Sequence, residues 1–167
     1  MADLQKPWPV RQMGGGSGSS RPYTVASGNS RIFLGDFVKL TAEGHVDVAA
    51  AGERILGLAA GTIAASTAGE IPVYDDPTLL FRIRADGAAA ETTKGNLVDI
   101  KATTGNTDTN ESKHEVDISE IGTVSRQLRI MDKMDTPGND WGGTTIMLLC
   151  QIYEHELTQA DQATPGV

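Results

Sequence analysis

The sequence is short of the groups that carry most enzyme chemistry. It has one cysteine, Cys150, among 167 residues, so an intramolecular disulfide is impossible. Its place in the apolar run Ile146-Met147-Leu148-Leu149-Cys150-Gln151-Ile152 marks it as a small core residue rather than a nucleophile. With two tryptophans, three tyrosines and three phenylalanines, the chain has too few aromatic rings to line a glycosidase groove. The three histidines, His45, His114 and His155, lack the close spacing of a helix-borne zinc site. Positive charge is thin: 14 Lys and Arg stand against 22 Asp and Glu, a net charge of −8, with no basic stripe. Such a surface repels phosphate backbones and argues against a nucleic-acid partner. Apolar runs stop far short of the roughly 20 residues of a membrane-spanning helix. The first residues also hold no apolar core of signal-peptide length, so neither a membrane nor secretion is expected.

What the chain does have is turn chemistry. Nineteen glycines and seven prolines, with frequent Thr, Ser, Asn and Asp, punctuate short alternating apolar runs. The expectation is an all-β protein of short antiparallel strands, in one domain with a proper core.

Two stretches echo each other. Gly35-Asp36-Phe37-Val38-Lys39-Leu40 is followed by Val46-Asp47-Val48 and Leu56-Gly57-Leu58, while Gly95-Asn96-Leu97-Val98-Asp99-Ile100 is followed by Val116-Asp117-Ile118 and Ile121-Gly122-Thr123. Either a small β unit occurs twice or two hairpins merely begin alike. The corresponding division is an extended arm over 1–22, a β domain over 23–157 with candidate units 23–76 and 77–157, and a tail over 158–167.

In the arm, Lys6-Pro7-Trp8-Pro9-Val10 is kept extended by its prolines and Gly14 to Ser20 reads as a flexible spacer. Trp8 is then either a passenger or an aromatic anchor ordered by contact. Pro72 argues that Ile71–Tyr74 lies at a sheet edge or begins a strand. Leu79, Phe81 and Ile83 share one face of a strand whose other face carries Leu80, Arg82 and Arg84. Thr103 to Ser112 reads as a polar loop on the outside or against a partner. The last strand, Thr144 to Tyr153, is apolar on both faces, as befits a strand covered on both sides or placed at a subunit contact.

The reactive constellations are weak. Gly14 to Gly18 lacks the preceding strand, following helix and Lys-Ser/Thr pair of a phosphate loop. His114, Asp117 and Ser119 include the residue types of a triad, but His114 and Asp117 fall on opposite faces of a strand and no nucleophile elbow presents Ser119. Asp75-Asp76 and the group Asp132, Asp135, Asn139 and Asp140 have oxygen ligands suited to a hard cation, yet neither matches an EF-hand loop and turn-forming acids explain them. Trp141, beside Gly142-Gly143, reads as a packing lid. No catalytic residue, cofactor or metal is expected.

The order Gly35-Asp36-Phe37-Val38, then Ile55-Leu56-Gly57-Leu58-Ala59, then Ala68-Gly69-Glu70-Ile71-Pro72-Val73 resembles capsid cement (decoration) proteins of tailed bacteriophages. Asp76 to Asp86, Leu97 to Ile100, Ser112 to Asp117 and Ile152 to Glu156 are similar to structural proteins of phage heads, so the likeness spans about Tyr23 to Glu156. The resemblance implies a small β-barrel or β-tulip module on the outer capsid surface of the virion, clamping neighbouring major capsid protein subunits, commonly as a homotrimer. It brings no catalytic residues. On this reading Trp8, Pro9 and Val10 are arm anchors and Phe33, Phe37 and Trp141 are rim contacts. The alternatives are a head fibre or host-attachment module and, more remotely, a metal-dependent β-barrel hydrolase using Asp75, Asp76 or His114.

Overall fold

The computed structural model describes residues 6–10, 19–122 and 127–158. The Gly14–Gly18 spacer, Thr123 and the tail beyond Thr158 lie outside the described residues. The strands are β1 (Trp8–Val10), β2 (Ser20–Val25), β3 (Phe37–Leu40), β4 (Val46–Val48), β5 (Gly57–Ala59) and β6 (Gly69–Tyr74). They continue as β7 (Leu80–Arg84), β8 (Leu97–Val98), β9 (Ile100–Lys101), β10 (Glu115–Val116), β11 (Leu128–Lys133) and β12 (Met147–Ile152). The first sheet has the order β2-β6-β5-β3-β4 and the second β1-β7-β12-β11-β8, with β9 and β10 forming a separate hairpin; the pairings are antiparallel.

The protein is all-β, as expected, but it is an open sandwich rather than a closed barrel or tulip. In the first sheet the edge strands β2 and β4 lie against each other without forming a ladder among the described residues. With β4 and β5 only three residues long, there is too little strand to close the hydrogen-bonding cycle. The sheet curls instead.

That curl buries both faces at the centre of the first sheet, β5 and the start of β3, while β2 and β6 keep one face in water. Phe37 and Val38 are adjacent in β3, point to opposite sides, and are both fully buried. Val38, Val46, Leu56, Ala59, Ile71, Val73, Val25 and Ile32 form a core inside the curl. Phe37, Ile55 and Leu58 instead join Phe81, Ile83, Val98, Leu128, Ile130, Leu148 and Cys150 in a core shared by the two sheets. There Phe37 and Phe81 meet edge-on, with ring centroids 5.7 Å apart.

Two glycines show why the resemblance motif reads as it does. A Cβ on Gly57 would lie 2.1 Å from the carbonyl oxygen of Tyr74, so only glycine lets β5 pass β6 at this point. Gly35 has φ +90° and its missing Cβ leaves room for the carbonyl of Pro7 at 2.9 Å. The turn it makes sets Gly35 and Asp36 against Ala59: Gly35 N–H donates to the Ala59 carbonyl at 2.9 Å and Ala59 N–H donates to the Asp36 carbonyl at 2.8 Å.

The echoing hairpins pair corresponding residues: Leu40 with Val46 in one and Ile100 with Val116 in the other. Their turn glycines also correspond, with positive φ at Gly35 and Gly95. They differ in the loop. The polar loop from Thr103 to Ser112 lies on the outside, as expected, with Thr103, Thr104 and residues 107–110 exposed, and its ends fasten to the segment before β3, where Leu34 N–H donates to Asn110 and Ser112 N–H donates to Leu34. Gly105 in this loop is buried against the Phe33 ring, and no Cβ would fit there.

Three further expectations are corrected. Trp8–Val10 is not a free arm segment: it is the edge strand of the second sheet, with Trp8, Pro9 and Val10 opposite Arg82, Phe81 and Leu80. The first sheet also begins at Ser20, before the expected domain start at Tyr23. Pro72 belongs to an interior strand, β6, between β2 and β5. It is tolerated because its nitrogen and carbonyl point away from Pro22, past the end of β5: Ala60 N–H donates to the Pro72 carbonyl at 2.8 Å, and Gly61 leaves room for the proline ring.

Candidate functional site

The loop Thr103–Ser112 and the start of β3 enclose a cleft of about 460 Å³, lined among others by Ser30, Arg31, Phe33, Asp36, Thr103, Thr107 and His114. At its base Asp36 and His114 are each 2% exposed. Asp36 Oδ2 accepts the Phe33 N–H at 2.8 Å, and the Ser112 side chain is also bonded to this carboxylate. Phe37 N–H donates to His114 Nδ1 at 3.2 Å, which leaves the imidazole proton on Nε2, 3.5 Å from Asp36 Oδ1. Burial raises the Asp36 carboxyl to about 6, against the lowering effect of its Ser112 and Phe33 bonds. Burial lowers His114 to about 4.

This arrangement is a clasp. The Ser112 hydroxyl faces the carboxylate and accepts the His114 backbone N–H at 3.1 Å, so it is not presented to the imidazole as a nucleophile would be. What the clasp does is join the loop to the turn before β3. His114 also stacks on Phe37, with centroids 6.3 Å apart.

The suggested triad does not assemble. Asp117 Oδ1 accepts the Ser119 N–H and hydroxyl at 3.0 and 2.6 Å, capping a short 3-10 turn, while His114 engages Asp36. Asp75 is buried and tied to Arg21 and to the Tyr23 hydroxyl at 2.5 Å. Desolvation and then the Asp75 bond push Tyr23 up to about 12. Asp76 accepts the Thr78 N–H and hydroxyl, bonds that hold its carboxyl below the usual range. Both acids of the remote hydrolase alternative are therefore engaged, Asp75 in joining β2 to the end of β6 and Asp76 in a turn. In the other acidic group Asn139 clamps Met147 through its N–H and carbonyl, and Asp132 meets Lys94 at 3.0 Å. Among the described residues no cluster of three or more His, Cys, Asp or Glu is disposed to hold a metal ion.

Of the expected partner contacts, Phe33 and Phe37 are corrected: they are 2% and 0% exposed, held by the Gly105 loop and the shared core, and offer nothing to a rim. Trp141 is half-buried against the shared core with Lys94 over its ring, as a packing lid. Trp8 is half-buried and meets Tyr74 edge-on at 5.9 Å. Pro9 and Val10 are also half-buried.

A surface that site-by-site reading of motifs missed lies on the outward face of the second sheet. Cross-strand partners share a face, so three rows can be read across it. One row is Arg84 and Met147; the next is Arg82, Leu149 and Asp132, with Trp8 opposite Arg82 at the sheet edge but its ring turned onto the shared core and Tyr74; the third is Val10, Leu80, Gln151, Arg129 and Leu97. The buried side of the same strands carries Phe81, Ile83, Leu148, Cys150, Leu128 and Ile130. The alternation of Leu80, Arg82 and Arg84 in the sequence was the available signal.

A scan against protein-family models finds no match, and neither do searches of the curated proteins and of the solved structures. No helix among the described residues is long and apolar enough to cross a membrane.

Proposed function

We propose that this protein is a non-enzymatic structural component of a bacteriophage virion that binds the outer capsid surface and stabilises the head by bridging neighbouring major capsid protein subunits, as a homotrimer. One observation carries the reading. The residues that resemble cement proteins are architectural: Gly35 and Gly57 permit close backbone passage, Asp36 fastens a turn, and Leu56, Leu58, Ala59, Ile71 and Val73 fill the two cores. A pattern spent on building a rigid β body leaves its surface as the working part.

The physical mechanism is additive burial. A shell under internal pressure fails where subunits separate, and a protein seated across the seam must be released first. If each copy buries a standard interface of roughly 1,600 Å², repetition over many symmetric sites makes collective release improbable even when each contact is moderate. The test is to remove the protein and challenge the particles with heat and osmotic shock. Particles that lose resistance, and regain it when the protein is added back, support the reading. Particles equally robust without it defeat it.

A further inference from the structure

We infer that the outward face of the second sheet is the docking surface, and that its occupant is a carboxylate-bearing, aliphatic patch of the shell subunit; the inference rests on the shell-binding reading above. The argument begins with Arg82. It is half-buried among its row neighbours, its Nε is buried without a hydrogen-bond partner, and among the described residues no ion pair joins it to a carboxylate; Asp132, beyond Leu149 in the same row, is held by Lys94 at 3.0 Å. Neighbouring cations are accounted for differently. Arg84 has Glu115 at 3.3 Å, and Arg129 is exposed and lies over the Tyr153 ring at 4.8 Å.

The apolar side of the patch is equally distinct. Met131 and Tyr153, each 42% exposed, are two of the three exposed large hydrophobic residues among the described ones, and both adjoin Arg129. Arg, Tyr and Met beside aliphatic residues is the composition that interface centres favour. Arg82, Arg84 and Arg129 against Glu115 and Asp132 also leave the face net basic on a chain of net charge −8, so an occupant with carboxylates is complementary where the rest of the surface would repel it.

Charge also decides against a second copy seated face to face. A two-fold contact on this sheet would set Arg82 and Arg129 against their counterparts. Strands of 3, 5, 6, 6 and 2 residues, rising about 3.3 Å per residue and lying about 4.8 Å apart, give a footprint of roughly 350 Å², under half the per-partner share of a standard interface. A contact of that size is moderate singly and secure in repetition, which suits a lattice.

The experiment uses the full chain and shells assembled from the major capsid protein of the same phage, with co-sedimentation as the readout. Arg82→Glu and Arg129→Glu are compared with Lys113→Glu, which changes net charge equally at an exposed lysine beside the first sheet. Each face variant is expected to weaken shell binding by about tenfold or more, and the control by less than about twofold. Because half-buried Arg82 could disturb folding, exposed Arg129 provides the decisive variant, with its fold checked by circular dichroism. A folded Arg129→Glu protein that binds like wild type overturns the face while leaving the binding reading intact. A loss of self-association with shell affinity unchanged overturns it too, in favour of a second copy as occupant. Wild-type protein that ignores the shells overturns both.

Discussion

The two sheets use the same strand chemistry but end in different states. The first curls until both faces are buried at its centre, with Phe37 and Val38 on successive residues each out of reach of water, while Thr24, Glu70 and Pro72 stay exposed on β2 and β6. The second buries Phe81, Ile83, Leu148 and Cys150 and leaves Leu80, Arg82 and Leu149 half-buried and Arg129 exposed. The difference teaches that alternation in a strand specifies which face is buried first, whereas curvature decides whether the other face is buried too. Here glycine supplies that curvature at Gly57, against the Tyr74 carbonyl.

The sharpest way to break the comparison is to deny the first sheet its close passage. Gly57→Val places a branched side chain where even a Cβ meets the Tyr74 carbonyl oxygen at 2.1 Å. The strands must separate or the chain must not fold, an expected loss of more than about 4 kcal/mol. Thermal unfolding checks it, and a soluble variant with near wild-type stability would show that the sheet tolerates being opened.

A second prediction concerns the clasp that fixes the first sheet to the long loop. Asp36, raised to about 6, binds more protons folded than unfolded, so its burial penalises the native state above that pH and is relieved as pH falls toward the ordinary value of 3.8. His114, lowered to about 4, acts oppositely: stability present above the ordinary value of 6.5 is lost as pH falls through 4. Across the overlap the two slopes oppose each other in wild type. Asp36→Asn removes one of them, and the variant should lose up to about 3 kcal/mol between pH 6.5 and 4 that wild type retains. Denaturant titrations at several pH values measure the slope; identical slopes in both proteins would mean that the pair does not titrate as described.

How much of this was legible in the chain follows from the range of the forces. Strand faces such as Leu79, Phe81 and Ile83 were readable because period-two burial is local. The echo was readable as paired turn glycines, and the register of Leu40 with Val46 and Ile100 with Val116 follows it. The Asp36–His114 contact was not legible, since it depends on a polar loop folding back on Phe33, and polar composition signals only that a segment cannot make a core alone. Phe33 and Phe37 were misread for a related reason: a ring near a turn looks exposed until the loop that covers it is placed. The Trp8–Val10 pairing with β7 was hidden by prolines, which at an edge cost little.

The smaller effects sharpen the same contrast, because they fall on the second sheet. Trp8→Ala removes a half-buried ring and its edge-on contact with Tyr74, so a loss of about 1–2 kcal/mol is expected by thermal unfolding. Complete indifference would return residues 6–10 to the status of a loose arm. Leu149→Ser sits one residue from Cys150 on the same strand, yet on the uncovered face. It is half-buried opposite Arg82, whereas Leu148 on the other face is fully enclosed. The substitution should therefore change stability by no more than about 1 kcal/mol, while Leu148→Ala costs about 2–5 kcal/mol. Equal losses at the two adjacent leucines would mean that the second sheet is as covered as the first. A small loss at Leu149 with weaker shell attachment would separate the part of this sheet that holds the molecule together from the part left free to hold something else.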